Sequence, residues 1–255
     1  MCELLGMSAN VPTDICFSFS GLVQRGGKTG PHSDGWGLCF YEGKGCSVFR
    51  DPQPSYQSQI AQLLRSYPIK SEVVIGHIRQ ANCGEPSLAN THPFVRELWG
   101  ESWSYAHNGQ LKGHLELPYC VDQPVGDTDS EHAFCYLLGR LREHYPQKPQ
   151  DMRELFSYVA TLADELRSLG VFNMLLSNGE YLMVYCSNNL HWLTRRAPFS
   201  VARLIDEDLS IDFAKETTPD DVVTIIATQP LTHDEAWHKM EPGQWHLFHK
   251  GELVV

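Results

Sequence analysis

Met1-Cys2-Glu3-Leu4-Leu5-Gly6 opens the chain, and everything else is read outward from it. A cysteine directly after the initiator methionine becomes the first residue once Met1 is removed. Cys2 then carries a thiol and a free α-amine together. The thiolate is a strong nucleophile, and an α-amine with a pKa of roughly 7.7–8.0 is matched to general-base work near neutral pH. With Met1 in place, the Cys2 nitrogen is an amide and has no such capacity. Three readings of Cys2 stand on position alone: a small buried hydrophobe at the start of a strand, a lipoprotein cysteine, or an N-terminal nucleophile. The second needs a charged and apolar signal ahead of the cysteine, and only Met1 precedes it. The third needs an oxyanion hole and a substrate clamp downstream.

The composition sets bounds on that search. The chain has 255 residues, 42% hydrophobic and 20% charged, which is ordinary globular composition with length for a sizeable core. A formal net charge of −11 without a Lys/Arg run argues against nucleic acid and anionic membranes as partners. No stretch approaches the ~20 apolar residues of a membrane span, and no basic segment opens the chain, so a cytoplasmic location is expected. None of the eight cysteines has C-x-x-C spacing, and the twelve histidines form no H-E-x-x-H or paired Cys/His cluster. Neither a disulfide framework nor a metal is expected, and no motif demands a cofactor.

Periodicity gives the coarse organisation. Leu4 and Leu5 continue Cys2 as a short strand, and Pro12 and Asp14 mark a turn. Residues 24–37, rich in glycine, read as a functional loop, with Trp36 packed on something. Trp36–Tyr41 and Cys46–Arg50 suit a hairpin across Gly43. A short helix covers Ser58–Tyr67, and Glu72–Arg79 is a strand running into a polar loop. Trp103–Ala106 is a strand stopped by His107-Asn108-Gly109. Thr128-Asp129-Ser130-Glu131 has capping-box form and starts a helix to about Tyr145. A second helix runs from Met152 to Leu169, and strands follow at Phe172–Leu176, Tyr181–Cys186, His191–Thr194, Val222–Ala227 and Trp245–Phe248. With no linker or repeat, residues 1–255 read as one α+β domain with mainly antiparallel sheets.

Three places supply what Cys2 lacks. Asn108 and Gly109 offer a side-chain amide beside a glycine N–H, two donors for a developing oxyanion, or else a plain Asn-Gly turn. Arg79, where an apolar strand runs out, can grip a carboxylate through two parallel bonds or make a structural salt bridge. Asp129, in the first turn of a helix, can receive an ammonium or simply cap the helix. A substrate with an α-carboxylate, an α-ammonium and a side-chain amide satisfies all three. Glutamine has that shape, as does any γ-glutamyl amide.

Six blocks in this order resemble the class II glutamine amidotransferase domain of the N-terminal nucleophile (Ntn) hydrolases, in particular its stand-alone YafJ-type branch. They are residues 1–6, His32-Ser33-Asp34-Gly35-Trp36-Gly37, Gly76-His77-Ile78-Arg79-Gln80-Ala81-Asn82, Asn90-Thr91-His92-Pro93-Phe94, Tyr105-Ala106-His107-Asn108-Gly109 and Asp127-Thr128-Asp129-Ser130-Glu131. The resemblance implies a four-layer αββα sandwich. It implies Cys2 as nucleophile and base, Asn108 with Gly109 as oxyanion hole, and Arg79 with Asp129 as the glutamine clamp. Gln80, Asn82 and Cys83 stand where synthase-linked relatives carry an aromatic, a threonine and a histidine, so Gln80 and Asn82 are expected to shape this chain's own pocket. The implied chemistry is thiolate attack on the γ-amide, loss of ammonia or an amine, and hydrolysis of the thioester. No attached synthase domain is legible. A separate ammonia-accepting protein, or plain hydrolysis of a γ-glutamyl compound, is expected instead. The other reading is a non-catalytic glutamine-binding regulatory subunit of a separate synthase.

Overall fold

The structure is a computed structural model that describes residues 2–81, 84–113 and 122–255. The first strand, β1 (Glu3–Asp14), is followed by α1 (Cys16–Arg25), the hairpin β2 (Trp36–Glu42) and β3 (Gly45–Asp51), α2 (Gln59–Leu64) and β4 (Lys70–Ile78). Next come β5 (Phe94–Leu98), β6 (Glu101–Leu111) and the two long helices α3 (Asp129–His144) and α4 (Met152–Ser168). The C-terminal third holds β7 (Gly170–Ser177), β8 (Tyr181–Tyr185), β9 (His191–Arg195), β10 (Val201–Arg203) and β11 (Ser210–Asp212). It closes with α5 (Phe213–Glu216), β12 (Val223–Ala227), β13 (His238–Lys239), β14 (Trp245–His249) and β15 (Glu252–Leu253).

The strands pair antiparallel into a seven-stranded sheet, β13-β9-β12-β1-β4-β2-β3, and a six-stranded sheet, β15-β14-β8-β7-β6-β5, with β10-β11 as a separate ribbon. The alternation of side chains along a strand decides the layers. In β1, Leu5, Met7 and Ala9 face a cluster with Phe19 and Leu22 of α1 and Leu64 of α2. Leu4 faces the other way, into a cluster with Ala106, Leu175 and Ile226 drawn from both sheets. The far face of the six-stranded sheet packs Tyr105, Phe172 and Met183 against the stripes of α3 and α4. The result is the four-layer αββα sandwich.

Tyr41 ties the two sheets together. Its buried hydroxyl lies 2.7 Å from Ser104 Oγ on β6, which can donate to it, and 2.9 Å from the Ser177 carbonyl on β7, to which it donates. Asp151 caps α4 through the N–H groups of Arg153 and Glu154. The capping box of α3 is half made: Thr128 Oγ1 accepts from Glu131 N–H at 3.2 Å, but the Glu131 carboxylate is drawn away to Arg96 and to the Gly126 N–H.

Several elements depart from the sequence reading. The turn marked at Pro12 and Asp14 lies within β1, which runs on to Asp14, and helix α1, absent from the reading, follows at Cys16. Its face of Phe19, Leu22 and Val23 is diluted by Ser18, Ser20 and Gly21, all buried, which blurs the period. The glycine loop is shorter than 24–37: Gln24 and Arg25 end α1, and Trp36 begins β2, packed on Phe19 with ring centroids 5.6 Å apart. Strand β6 does not stop at His107-Asn108-Gly109 but pairs with β7 as far as Leu111. Strand β5 was absent from the reading.

Replacing Tyr41 by Phe leaves the Ser104 hydroxyl and Ser177 carbonyl short of a buried partner. Urea unfolding of Tyr41→Phe should show a loss of about 1–3 kcal/mol with an unchanged m-value. A midpoint equal to wild type would mean that the hydroxyl does not hold the sheets.

Candidate active site

Cys2 sits one residue ahead of β1, and β1 is paired on both sides, with Glu3 opposite Ile78 of β4 and Leu5 opposite Ala227 of β12. A buried ion network fixes this end. The Arg25 guanidinium lies 3.2 Å from Glu3 and 2.7 Å from Asp206, and also donates to the carbonyls of Gln229 and Pro230. Burial raises the Glu3 carboxyl, and the Arg25 charge acts against that shift.

The Cys2 thiol accepts the Gln80 backbone N–H at 3.4 Å. Burial raises its pKa, opposed by that N–H and by the Arg79 charge and reinforced by Asp129. Arg79, Gln80, Gly109 and Asp129 line one small cavity with Cys2, of about 30 Å³, room for roughly one water. Arg79 is held by loop backbone: its guanidinium donates to Gly84 O at 2.8 Å, Glu85 O at 3.3 Å and Asp34 O at 3.4 Å. The glycine loop fixes the same segment, since Arg79 N–H donates to Gly35 O and Ala81 N–H donates to the Asp34 carboxylate at 2.7 Å. The Asp129 carboxylate accepts Leu111 N–H at 2.6 Å and Ser130 N–H at 2.9 Å. A carboxylate with about four acceptor directions still has capacity for an ammonium.

Asn108 and Gly109 are strand residues, not a turn. Lys112 N–H is spent on Leu169 O beside β7, whereas Leu111 N–H points the opposite way, to Asp129. Backbone N–H groups alternate sides along a strand. The Gly109 N–H therefore shares the Leu111 side, toward the cavity it lines. The glycine is required by packing: a Cβ there would lie 1.8 Å from Val171 O. The Asn108 side chain does not line the cavity. It is buried, with Nδ2 3.3 Å from Thr228 Oγ1. Asn82 lies outside the described residues.

The sequence reading missed the histidines behind the cysteine. His92 and His107 line the cavity, and the His77 ring lies against His92, tilted by 36°, with ring centroids 4.2 Å apart. His77 Nε2 meets His107 O at 3.1 Å, and His107 Nδ1 meets Ser130 Oγ at 2.8 Å. Burial drives His77 down to about 3 and lowers His92 and His107, the last opposed by Asp129. The His77 and His92 residues were visible as members of quoted blocks, but nothing in their spacing tells that their rings meet.

Two antiparallel sheets between helical layers, with a buried cysteine at the head of a central strand, define an Ntn-hydrolase-type fold. The chain belongs to the class II glutamine amidotransferases: the model of that family matches residues 1–255. It is 67% identical over 255 residues to the Escherichia coli K12 protein named "Putative glutamine amidotransferase YafJ", covering all of both chains. A Haemophilus influenzae protein named "Putative glutamine amidotransferase" is 48% identical, over 100% of this chain and 86% of that one. A crystal structure of a "predicted glutamine amidotransferase" from Pseudomonas aeruginosa PA01 superposes with a TM-score of 0.80 at 50% identity, covering 100% of both chains. The fold alone is shared with a Bacillus subtilis glutamine phosphoribosylpyrophosphate amidotransferase, with a TM-score of 0.50 at 14% identity over 99% of this chain and 48% of that one. Among the described residues no helix is long and apolar enough to cross a membrane.

The neutral histidines set a pH dependence. Unfolded histidines protonate near pH 6.5, so below that value the unfolded chain binds more protons than the folded one. Stability should therefore fall as pH drops from about 6.5, at up to about 1.4 kcal/mol per pH unit for each buried ring. Urea unfolding between pH 7 and 5 should give a shallower slope for His92→Phe than for wild type. Equal slopes would show that His92 takes up its proton in the fold.

Proposed function

We propose that the protein is a glutamine amidotransferase or glutaminase-type amidohydrolase, acting on glutamine or another γ-glutamyl compound through Cys2 after loss of Met1. The observation that carries this is the convergence of the Cys2 thiol, the Gly109 N–H, Arg79 and Asp129 on one cavity. A buried thiol held above its ordinary pKa is protonated at neutral pH and needs a base within reach. The α-amine of Cys2 supplies it once Met1 is gone. The thiolate attacks the γ-amide carbon, and the oxyanion is received by Gly109 N–H, with the Asn108 amide as second donor once its Nδ2, 3.3 Å from Thr228 Oγ1, is turned to face it. The protonated amine then gives its proton to the leaving ammonia or amine, and water hydrolyses the γ-glutamyl thioester.

The clamp follows from charge. Arg79 exchanges loop carbonyls for the substrate α-carboxylate, and Asp129 receives the α-ammonium. Gln80 contributes its backbone beside the sulfur. Ammonia passes to a separate acceptor protein or to solvent, and residues 1–255 act as one domain.

Processed protein, its Met1 loss verified by intact mass, should gain one adduct at Cys2 with 6-diazo-5-oxo-norleucine and should release ammonia from glutamine or an amine from a γ-glutamyl amide. Cys2→Ala should abolish both. Arg79→Ala should raise KM about 10–100-fold, the worth of a charged hydrogen bond of about 1.5–3 kcal/mol. Unchanged turnover in Cys2→Ala would refute the nucleophile. Tight γ-glutamyl binding without turnover in processed wild type would favour the regulatory-subunit reading.

A further inference from the structure

Side-chain parity puts three polar groups in the layer between the sheets. Cys2 shares a face of the chain with Leu4, Asn108 with Ala106, and Thr228 with Ile226, and all three apolar residues belong to the inter-sheet cluster. Thr228 lies directly after β12 and is buried. Its backbone N–H donates to Leu4 O at 3.2 Å, and its Oγ1 accepts Leu4 N–H at 2.9 Å. Its carbonyl accepts from Asn189 Nδ2 and meets His191 Nδ1, each at 3.0 Å. One residue thus grips the strand that presents Cys2 and reaches the Asn108 amide of the opposite sheet, 3.3 Å away.

The polar inventory of this contact is incomplete. Asn108 Oδ1 is buried with no hydrogen-bond partner among the described residues. Thr228 Oγ1 accepts from Leu4, so its own proton remains to be given to an acceptor. A half-turn of the Asn108 amide about χ2 lets Thr228 O–H donate to Oδ1 and puts Nδ2 in the place where Oδ1 has no partner, with its N–H groups left to await an acceptor. The Asn108 main chain need not move, because its carbonyl is held by Asn173 Nδ2 at 2.9 Å.

We propose that Thr228 is a positioning residue, whose hydroxyl donates to Asn108 Oδ1 and so aims Nδ2 at the oxyanion formed on Cys2. This rests on the nucleophile reading above. A buried amide has two near-isosteric orientations, and only one presents a donor to a developing negative charge. The hydroxyl, already committed to Leu4 N–H as acceptor, selects between them. It also couples the choice to the strand that carries the nucleophile.

Thr228→Val keeps the shape and removes the hydroxyl. In processed protein it should lower kcat for ammonia release from glutamine by about 10–100-fold, somewhat less than the 10²–10³ for outright loss of an oxyanion donor, with KM within about two-fold. Thr228→Ser should restore most of kcat. Glutamate γ-semialdehyde, whose carbonyl carbon takes the Cys2 thiolate while the α-amine keeps the thiol proton, so that the hemithioacetal bears an oxyanion, should bind Thr228→Val about ten-fold or more weakly, while glutamate binds equally well. In an Asn108→Ala background, Thr228→Val should cost no further kcat. If Thr228→Val does not fold, Thr228→Cys, with its weaker donor, carries the same comparison. Wild-type kcat and aldehyde affinity in Thr228→Val, or a full additional loss in the Asn108→Ala background, would overturn the proposal. Wild-type protein that neither releases ammonia nor captures the aldehyde would instead overturn the nucleophile reading itself, and this proposal with it.

Discussion

Strand β1 is held from both sides, by β12 and β4, and from its helical face by Arg25 on Glu3. The chain begins, in effect, in the middle of a sheet. A terminus is ordinarily the least ordered part of a domain unless something ties it down. Here the ladder and a buried guanidinium do so, and the residue next to that anchorage is Cys2. Every other part of the site is placed relative to it. Strand β4 ends beside it and delivers Arg79 and Gln80. The glycine loop braces those two through Gly35 and Asp34. Strand β6, from the opposite sheet, brings Gly109 with its N–H turned to the cavity.

The site sits where the two sheets meet two kinds of constraint. Close backbone approach fixes Gly109, because Val171 O leaves no room for a side chain. Neutral burial fixes the histidines behind the cysteine, whose lowered pKa values keep positive charge out of the back wall. The side-chain charges that act on the sulfur among the described residues are Arg79 and Asp129, whose effects on the thiol oppose each other. The thiol stays protonated through burial, and this is why a base as close as the α-amine of the same residue matters to the proposed chemistry.

Much of this was legible in the sequence because it depends on local chemistry. Leu155, Val159, Leu162 and Leu166 announced α4, and Asp151 announced its start. Cys2, Arg79, Gly109 and Asp129, singled out by residue type, line one cavity, and the six blocks pointed to the family that the chain belongs to. What was not legible depends on register between distant segments. Helix α1 was hidden by its buried serines and Gly21. The Asn-Gly pair looked like punctuation, since nothing local tells that β7 continues alongside it. Thr228 has no signal of its own: its place comes from distant partners, Leu4 among them, 224 residues away. Glu131 was read as half of a capping box, and Arg96 claims its carboxylate instead.

The Tyr41 hydroxyl has a counterpart at the other end of the same layer, in the contact between Thr228 and Asn108. Between them lies a dry packing of Leu4, Ala106, Leu175 and Ile226. Two faces pinned by directional bonds at separated points cannot slide past one another without breaking at least one pin. The sandwich is therefore mechanically a single plate. Arg79, which lines the space of about 30 Å³, is held apart from those pins, by the carbonyls of Gly84 and Glu85. Pins of this kind keep Cys2 and Gly109, which come from opposite sheets, at a fixed spacing.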